Sequence, residues 1–305
     1  MKKEFYSNGK LLITGEYLVL DGAKAFALPT KFGQNLIVEK GSNKEIIWKS
    51  YDADGSLWFE DTITFSEISN KINIETESVK STLIAILQEA YALNPNFLNL
   101  AEGYSISTEL GFPKIWGLGT SSTLINNIAQ WLQIDAFTLL KNSFGGSGYD
   151  IACAQNDHPI LYHLEQGKAV VEKVLFNPDF TQNLYFVYLN KKQNSKTAIA
   201  AYNSNKKDNL EKNIALNDQL TFEILNAKTL PEFALALEKH ETKMSLILEI
   251  KPVKETLFPD FEGTIKSLGA WGGDFVLVIS EKNPTSYFAS KGFETIIGYN
   301  EMILV

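Results

Sequence analysis

The side chains best placed by type and spacing to do chemistry lie in short glycine-bearing stretches. In "GFPKIWGLGTSSTLINN" (111–127), Gly117 and Gly119 free the backbone just before the hydroxyl run Thr120, Ser121 and Ser122, and an apolar helical pattern follows. Unpaired N–H groups and the positive end of a helix dipole converge at such a start, which suits a phosphate. Hydroxyls there can also ligate magnesium. An ordinary Ser or Thr N-cap after a glycine turn fits the same residues, so the pattern alone leaves both readings open. It is not a Walker A loop, because no GK[ST] closes it.

A second stretch, "SFGGSGYDIACAQ" (143–155), runs glycines into an apolar helical segment with Asp150 just inside it. Ser147 and Asp150 have the spacing of a capping box, and a carboxylate in a first turn is favoured by the dipole, so a cap and a catalyst both fit. In "GKLLITGEYLVL" (9–20), Lys10 and Glu16 each enter an apolar run, where a charge either reaches back to solvent or is held for use. In "KSLGAWGGDFVLVIS" (266–280), Gly269, Gly272 and Gly273 precede a strand, as a tight turn or a close backbone approach requires.

The elements that must carry these stretches alternate along the chain. "NLIVEK" (35–40), "EIIWKS" (45–50) and "LWFEDTITF" (57–65) read as strands separated by "GSNK" and "DADG" turns. A helix is expected near 78–93, with Leu83, Leu87, Ala90 and Tyr91 on one face and Ile86 beside them. A strand at 103–110 leads to the helix after "GLGTSS", whose apolar face is Leu124, Ile128, Trp131 and Leu132. A second unit is expected to begin near the strand "NLYFVYLN" (183–190), followed by helices from about 195 to 248, one opened by Thr229 and Glu232. Then come a helix near 261–268, a strand at 275–280, a helix near 284–291 and a strand near 295–304. This order suits an α+β fold in two domains, 1–180 and 181–305.

The whole composition narrows the partners. With 305 residues, 45% of them hydrophobic, and a formal net charge of −8, the chain reads as a globular protein whose partners are small molecules rather than nucleic acid or an anionic membrane. The single cysteine, Cys153, excludes an intrachain disulfide and, with only three histidines, argues against a zinc site and for a reducing, cytoplasmic setting. No apolar run approaches a membrane span or a signal-peptide core. There is no arginine, so phosphate or carboxylate must be held by lysine, backbone N–H groups, hydroxyls or a metal.

Taken in order, "GKLLITGEYLVL", "PKIWGLGTSSTL" and "GAWGGDFVLV" resemble the three signature motifs of the GHMP kinase superfamily, over a span from Gly9 to Asp274. The resemblance implies an N-terminal domain like ribosomal protein S5 domain 2, a ferredoxin-like C-terminal domain, and ATP with Mg2+ as cofactors. It assigns Asp150 as catalytic base with Lys10 beside the reacting oxygen. It wraps Pro113, Gly117, Leu118, Gly119, Thr120, Ser121 and Ser122 around the nucleotide phosphates, with Ser121 on the metal. The acceptor side is expected at Glu16, Tyr17, Ser147, Gly148, Ser195, Lys196, Gly272, Gly273 and Asp274.

Two departures stand out. Mevalonate-kinase-like members carry a glutamate metal ligand about a dozen residues before the aspartate, whereas "DAFTLLKNSFGG" (135–146) has none, leaving Asp135 or water in that place. Trp271 replaces a glycine of the third motif, and its bulk is expected to narrow the mouth of the site. "GSGYDIACA" is most similar to the corresponding segment of phosphomevalonate kinases, so the expected reaction is γ-phosphoryl transfer to phosphomevalonate or mevalonate by a monomer or homodimer. A homoserine or sugar kinase, or a catalytically silent binding protein of the same fold, is the alternative. The sister decarboxylase activity pairs the aspartate with an arginine, which this chain lacks.

Overall fold

The computed structural model describes residues 2–70, 78–192, 199, 202–203 and 209–304. In chain order the strands β1 (Lys3–Leu12), β2 (Ala25–Lys40), β3 (Glu45–Tyr51) and β4 (Leu57–Thr64) precede helices α1 (Phe65–Ser69), α2 (Val79–Leu93) and α3 (Asn96–Asn99). Strand β5 (Tyr104–Leu110) leads to α4 (Thr120–Leu132), α5 (Ala136–Ser143) and α6 (Tyr149–Ala154), then to the hairpin β6 (Ile160–Glu165) and β7 (Lys168–Lys173). The remainder is β8 (Leu184–Tyr188), α7 (Leu210–Asn226), α8 (Leu230–Leu248), α9 (Val253–Leu257), β9 (Thr264–Ser267), β10 (Phe275–Ile279), α10 (Thr285–Ser290), β11 (Ile296–Gly298) and α11 (Tyr299–Met302).

These elements form two compact units that interleave in sequence. The first holds Met1–Gly9, Phe32–Lys114 and Leu118–Gln155, and the second holds Lys10–Lys31, Ile115–Gly117 and Asn156–Val305. The expected boundary at 180/181 falls inside the second unit, just before β8.

In the first unit the strand order is β4-β3-β5-β2, with β1 also pairing with β2. The β3–β5 pair is parallel, while β3–β4 and β2–β5 are antiparallel. One sheet face buries Leu36, Val38, Ile46, Trp48 and Ile106 at alternate positions against Leu83, Leu87, Ile125, Ile128, Trp131 and Leu139 from α2, α4 and α5. The helix at Val79–Leu93 forms as its apolar spacing requires and is capped by Ser78, whose hydroxyl accepts from Ser81 N–H.

In the second unit the first residues of β2 pair with β6, and β6 with β7. A separate antiparallel sheet has the order β11-β8-β10-β9. Numbered within that sheet this is 4-1-3-2, and with helices between β8 and β9 and between β10 and β11 it is the expected ferredoxin-like arrangement. Among the described residues, no helix is long and apolar enough to cross a membrane.

Two expectations fail here. The stretch near 261–268 is not a helix: Phe261, Ile265 and Leu268 have helical spacing, but Gly263 intervenes and Thr264–Ser267 are buried as the strand β9 against β10. The last stretch is not one strand either. Ile296–Gly298 pair with β8, a short helix follows, and Ile303 returns to bridge Thr30 on β2.

Candidate functional site

In the first unit the loop leading to α4 is fixed at its entry. Gly111 N–H donates to the Gly33 carbonyl at 2.8 Å, and Lys114 N–H donates to Asp52 Oδ1 at 2.9 Å. The Lys114 ammonium lies 5.1 Å from the centre of the Trp58 ring. Helix α4 then starts on Gly119 at φ 98°, a conformation that favours glycine, and no side chain caps it. The Ser/Thr N-cap left open by the sequence is therefore not what this chain builds. The Thr123 hydroxyl, one turn in, donates to Gln34 Oε1 at 2.6 Å, within reach of the Gly119 and Thr120 carbonyls as well. Of the expected hydroxyls, Thr120 and Ser121 are half-buried at the helix start, as is Pro113 before it, while Ser122 turns into the core, as does Leu118.

Asp150 sits in the first turn of α6, half-buried like Tyr149, with residues 151–154 of the helix enclosed. The N-cap is Gly148 at φ 94°, and no side chain caps this helix, so the capping box expected from Ser147 and Asp150 does not form. Three left-handed glycines at 145, 146 and 148 set the entry angle, which a Ser147 cap in extended conformation would not. Asp135 is engaged elsewhere: its Oδ1 accepts from both Thr138 N–H (2.7 Å) and Thr138 Oγ1 (2.6 Å) as the N-cap of α5. Among the described residues no group of three or more His, Cys, Asp or Glu side chains forms a metal cage.

In the second unit the glycine-bearing stretches meet at Gly117. The Lys10 ammonium donates to the Gly117 carbonyl at 3.1 Å. Gly117 has φ 69°, and a Cβ there would stand 2.3 Å from the Asp274 carboxyl carbon, so glycine is required on both counts. Asp274 is itself held by backbone bonds, its N–H donating to Lys191 O at 2.6 Å and its carbonyl accepting from Leu189 N–H at 2.8 Å. Trp116 packs against Tyr188 and Phe275, and the Tyr188 hydroxyl donates to the Ile115 carbonyl at 3.0 Å. The residues flanking Gly117 are thus pinned to the small sheet.

Glu16 and Tyr17 behave differently from the expectation that they meet an acceptor. Glu16 is fully buried, ion-paired to Lys266, which is equally buried and also lies 3.2 Å from Glu241 Oε2. Burial pushes the Glu16 carboxyl up, opposed by the Lys266 charge. For Lys266, burial pulls the ammonium down, but the carboxylates of Glu16 and Glu241 together outweigh it and hold it protonated. His240 Nε2 is 3.7 Å from Glu16 and 3.1 Å from Asn217 Oδ1, and its imidazole is held well below the usual histidine value, by burial first and then by the Lys266 charge.

Tyr17, at φ 59°, donates its hydroxyl to Ala270 O at 2.9 Å and stacks on Tyr202, whose hydroxyl donates to Asp21 at 2.8 Å. Trp271 does not narrow an opening. It is buried against Tyr17, Leu18 and Met244, with the Lys266 ammonium 5.3 Å from its ring centre. Of the third stretch, Gly272 is exposed and Gly273 buried. Ser195 and Lys196 lie outside the described residues.

Sequence reasoning missed the partners that hold the stretches in place. The sequence places Lys266 in the helix expected near 261–268, Asp52 in a turn and Trp58 in the strand after it, and nothing local links 52 to 114 or 16 to 266. The available signal was the β-branched pair Thr264 and Ile265 directly after Gly263, which favours a strand around Lys266.

No protein-family model and no curated protein matches the sequence. Solved structures do. The chain is similar to mevalonate kinase of Methanococcus jannaschii, with 16% identity over 100% of this chain and 99% of that one and a TM-score of 0.71. It is similar to Streptococcus pneumoniae phosphomevalonate kinase in complex with phosphomevalonate and AMPPNP, with 16% identity over 97% and 99% of the two chains and a TM-score of 0.70. It is also similar to Lactococcus lactis galactokinase complexed with galactose, with 13% identity over 95% and 88% and a TM-score of 0.68. What these structures share with the chain is the fold.

Proposed function

We propose that this chain, which has the fold common to the GHMP kinases, transfers the γ-phosphoryl group of ATP to a small-molecule acceptor of the mevalonate series, phosphomevalonate or mevalonate. The observation that carries the proposal is the start of α4: a helix opened by glycine, with no capping side chain, directly after a loop whose Gly117 carbonyl receives the Lys10 ammonium. Its first-turn N–H groups and the Thr120 and Ser121 hydroxyls supply donors for the phosphates of the nucleotide, the work that arginine would otherwise do.

Phosphoryl transfer asks the protein for alignment and charge balance more than for covalent help. The bond from the γ-phosphorus to the β,γ-bridging oxygen breaks as the acceptor oxygen bonds to that phosphorus, and ADP leaves. Where the acceptor is an alcohol, Asp150 takes the proton from its oxygen, and Lys10 offsets the negative charge that builds there. Where the acceptor is already a phosphate, the same two residues orient it. Magnesium, when bound with ATP, neutralises charge on its phosphates. Ser121 is the residue that would hold it, a hard oxygen donor half-exposed at the α4 start, with water and phosphate oxygens completing the set because Asp135 is committed to its cap. Asp274, beside Gly117, with Gly272 and Gly273 preceding it in the chain, and Ser147 and Gly148, before Asp150, are the acceptor-side positions of this reading, together with Ser195 and Lys196.

The choice of acceptor rests on the "GSGYDIACA" segment and on the mevalonate and phosphomevalonate kinases among the similar structures; the galactokinase of the same fold is why it needs measuring. Purified protein with ATP-Mg is offered mevalonate, phosphomevalonate, homoserine and galactose in turn, and ADP release is followed. Release with mevalonate or phosphomevalonate supports the proposal. Release only with galactose or homoserine moves the acceptor, and release with none favours a silent binding protein.

A further inference from the structure

The buried face of α4 carries amides where apolar side chains would suffice. Asn126 and Asn127 are 1% and 0% exposed, flanked by Ile125, Ile128 and Ala129 in the core of the first unit. A buried amide is costly unless its donors and acceptors are met, and here they are met by partners on three other elements. Asn126 Nδ2 donates to Ser7 Oγ on β1 at 2.8 Å, and Asn126 Oδ1 accepts from Gln155 Nε2, at the end of α6, at 2.9 Å. The Ser7 hydroxyl donates to Asn127 Oδ1 at 2.7 Å, and Asn127 Nδ2 donates to the Gln34 carbonyl on β2 at 2.8 Å. Gln34 Oε1 takes the Thr123 hydroxyl, which closes the path back to the first turn of α4.

Asn126 ties α4 to two elements that carry residues of the proposed reaction, β1 and α6, while Asn127 ties it to β2. Ser7 precedes Lys10 on the same strand, Thr123 and Asn126 follow Thr120 and Ser121 on the same helix, and Gln155 closes the short helix that carries Asp150 in its first turn. Apolar packing tolerates a helix that slides or turns by a fraction of an ångström, whereas a chain of directional hydrogen bonds accepts only one register. Helix α6 has six residues, too few to be stable by itself, so its placement depends on what it is fastened to.

We propose that Asn126 is a positioning residue: through Gln155 it fixes α6, and with it Asp150, against the start of α4, where the phosphates are held. This rests on the kinase reading above. It adds that Asn126, which touches no reacting atom, sets the alignment on which turnover depends.

The test uses Gln155→Ala and Gln155→Glu, at an exposed residue that can change without emptying the core, together with Asn126→Ala and the Asn126→Ala/Gln155→Ala double variant. With ATP-Mg and the acceptor that the wild-type protein uses, kcat should fall about tenfold or more in each Gln155 variant, because small misplacements of reacting groups cost up to about 100-fold. KM for ATP should stay within about twofold, since the α4 amides are untouched. Gln155→Glu keeps the shape and loses the donor, so it should match Gln155→Ala, and the double variant should be no worse than its weaker parent. Amide hydrogen exchange over 149–155 should quicken in the Gln155 variants, read without any acceptor.

A kcat unchanged in the Gln155 variants, or losses that simply multiply in the double variant, would overturn the proposal, as would a lowered melting temperature with kcat retained. If the wild-type protein transfers phosphate to no acceptor, the kinase reading fails by itself. The exchange measurement then still decides whether Asn126 fastens α6, with unchanged protection counting against it.

Discussion

Replacing Lys266 with methionine removes the cation from a fully enclosed cluster while keeping most of the side-chain volume. In the native chain Lys266 is ion-paired to Glu16 and lies 3.2 Å from Glu241, with both the ammonium and the Glu16 carboxylate at 0% exposure. The two carboxylates are not equally exposed to the loss. Glu241 still accepts from Ser267 Oγ at 2.6 Å and Ser267 N–H at 3.1 Å, whereas the Trp271 indole N–H reaches Glu16 only at 3.5 Å and His240 Nε2 lies 3.7 Å away. Breaking a buried pair from one side costs about 3–5 kcal/mol, because the remaining ion has neither water nor partner. At about 4 kcal/mol the folding equilibrium moves by roughly a thousandfold, a large share of the stability of a typical domain.

Equilibrium urea unfolding should therefore show a lower midpoint with an unchanged slope. The double variant Lys266→Met/Glu16→Gln removes the stranded charge and should recover at least half of the loss, since replacing both partners of a buried pair is often nearly neutral. A single variant within about 1 kcal/mol of the native protein, the most an exposed pair is usually worth, would mean that the enclosed ion pair contributes no more than a surface one. A double variant no more stable than the single would contradict the stranded charge as the source of the loss.

Asp150→Asn and Lys10→Met should each lower kcat about 100-fold or more, as loss of a base or of a charge-balancing donor does, with ATP affinity measured by titration little changed; near-normal turnover in Asp150→Asn would remove it as the base. Gly117→Ala should destabilise by about 1–2 kcal/mol from its left-handed backbone alone and raise KM for the acceptor by pushing on Asp274, which melting curves and initial rates would check. His240 gives a pH signature. Its folded pKa lies below the unfolded value near 6.5, so the unfolded chain takes up a proton first and stability falls as pH drops below that value. The slope contributed is at most about 1.4 kcal/mol per pH unit, and His240→Gln should remove it; identical pH dependence in the two proteins would contradict the assignment.

The parts of the fold legible in the sequence are those governed by short-range pattern. The apolar spacing at 78–93 gave a helix capped by Ser78, and the strands at 45–50 and 57–65 paired as their composition suggests. The glycines at 117 and 119 stand where backbone geometry demands them. What the pattern hid depends on distant partners. Thr264–Ser267 became a strand because β10 offers an edge and Gly263 interrupts the helical spacing. Ser147 lost the cap to Gly148 because left-handed glycines set the entry to α6. Glu16 and Trp271, expected at a surface, were drawn inward by Lys266, 250 residues along the chain from Glu16. On α4 the face drawn through Leu124, Ile128, Trp131 and Leu132 was close to the buried one, yet it passed over Asn126 and Asn127, whose burial only Ser7, Gln34 and Gln155 make affordable.

Phosphoryl transfer is followed by the fate of the γ-phosphate itself. Protein is mixed with γ-labelled ATP, magnesium and phosphomevalonate or mevalonate, and the label is traced. Label should appear on the acceptor with one ADP formed per transfer, and that transfer should be lost in Asp150→Asn. Label that stays on ATP with both acceptors, or that passes only to water at a rate no acceptor changes, would contradict the proposed transfer.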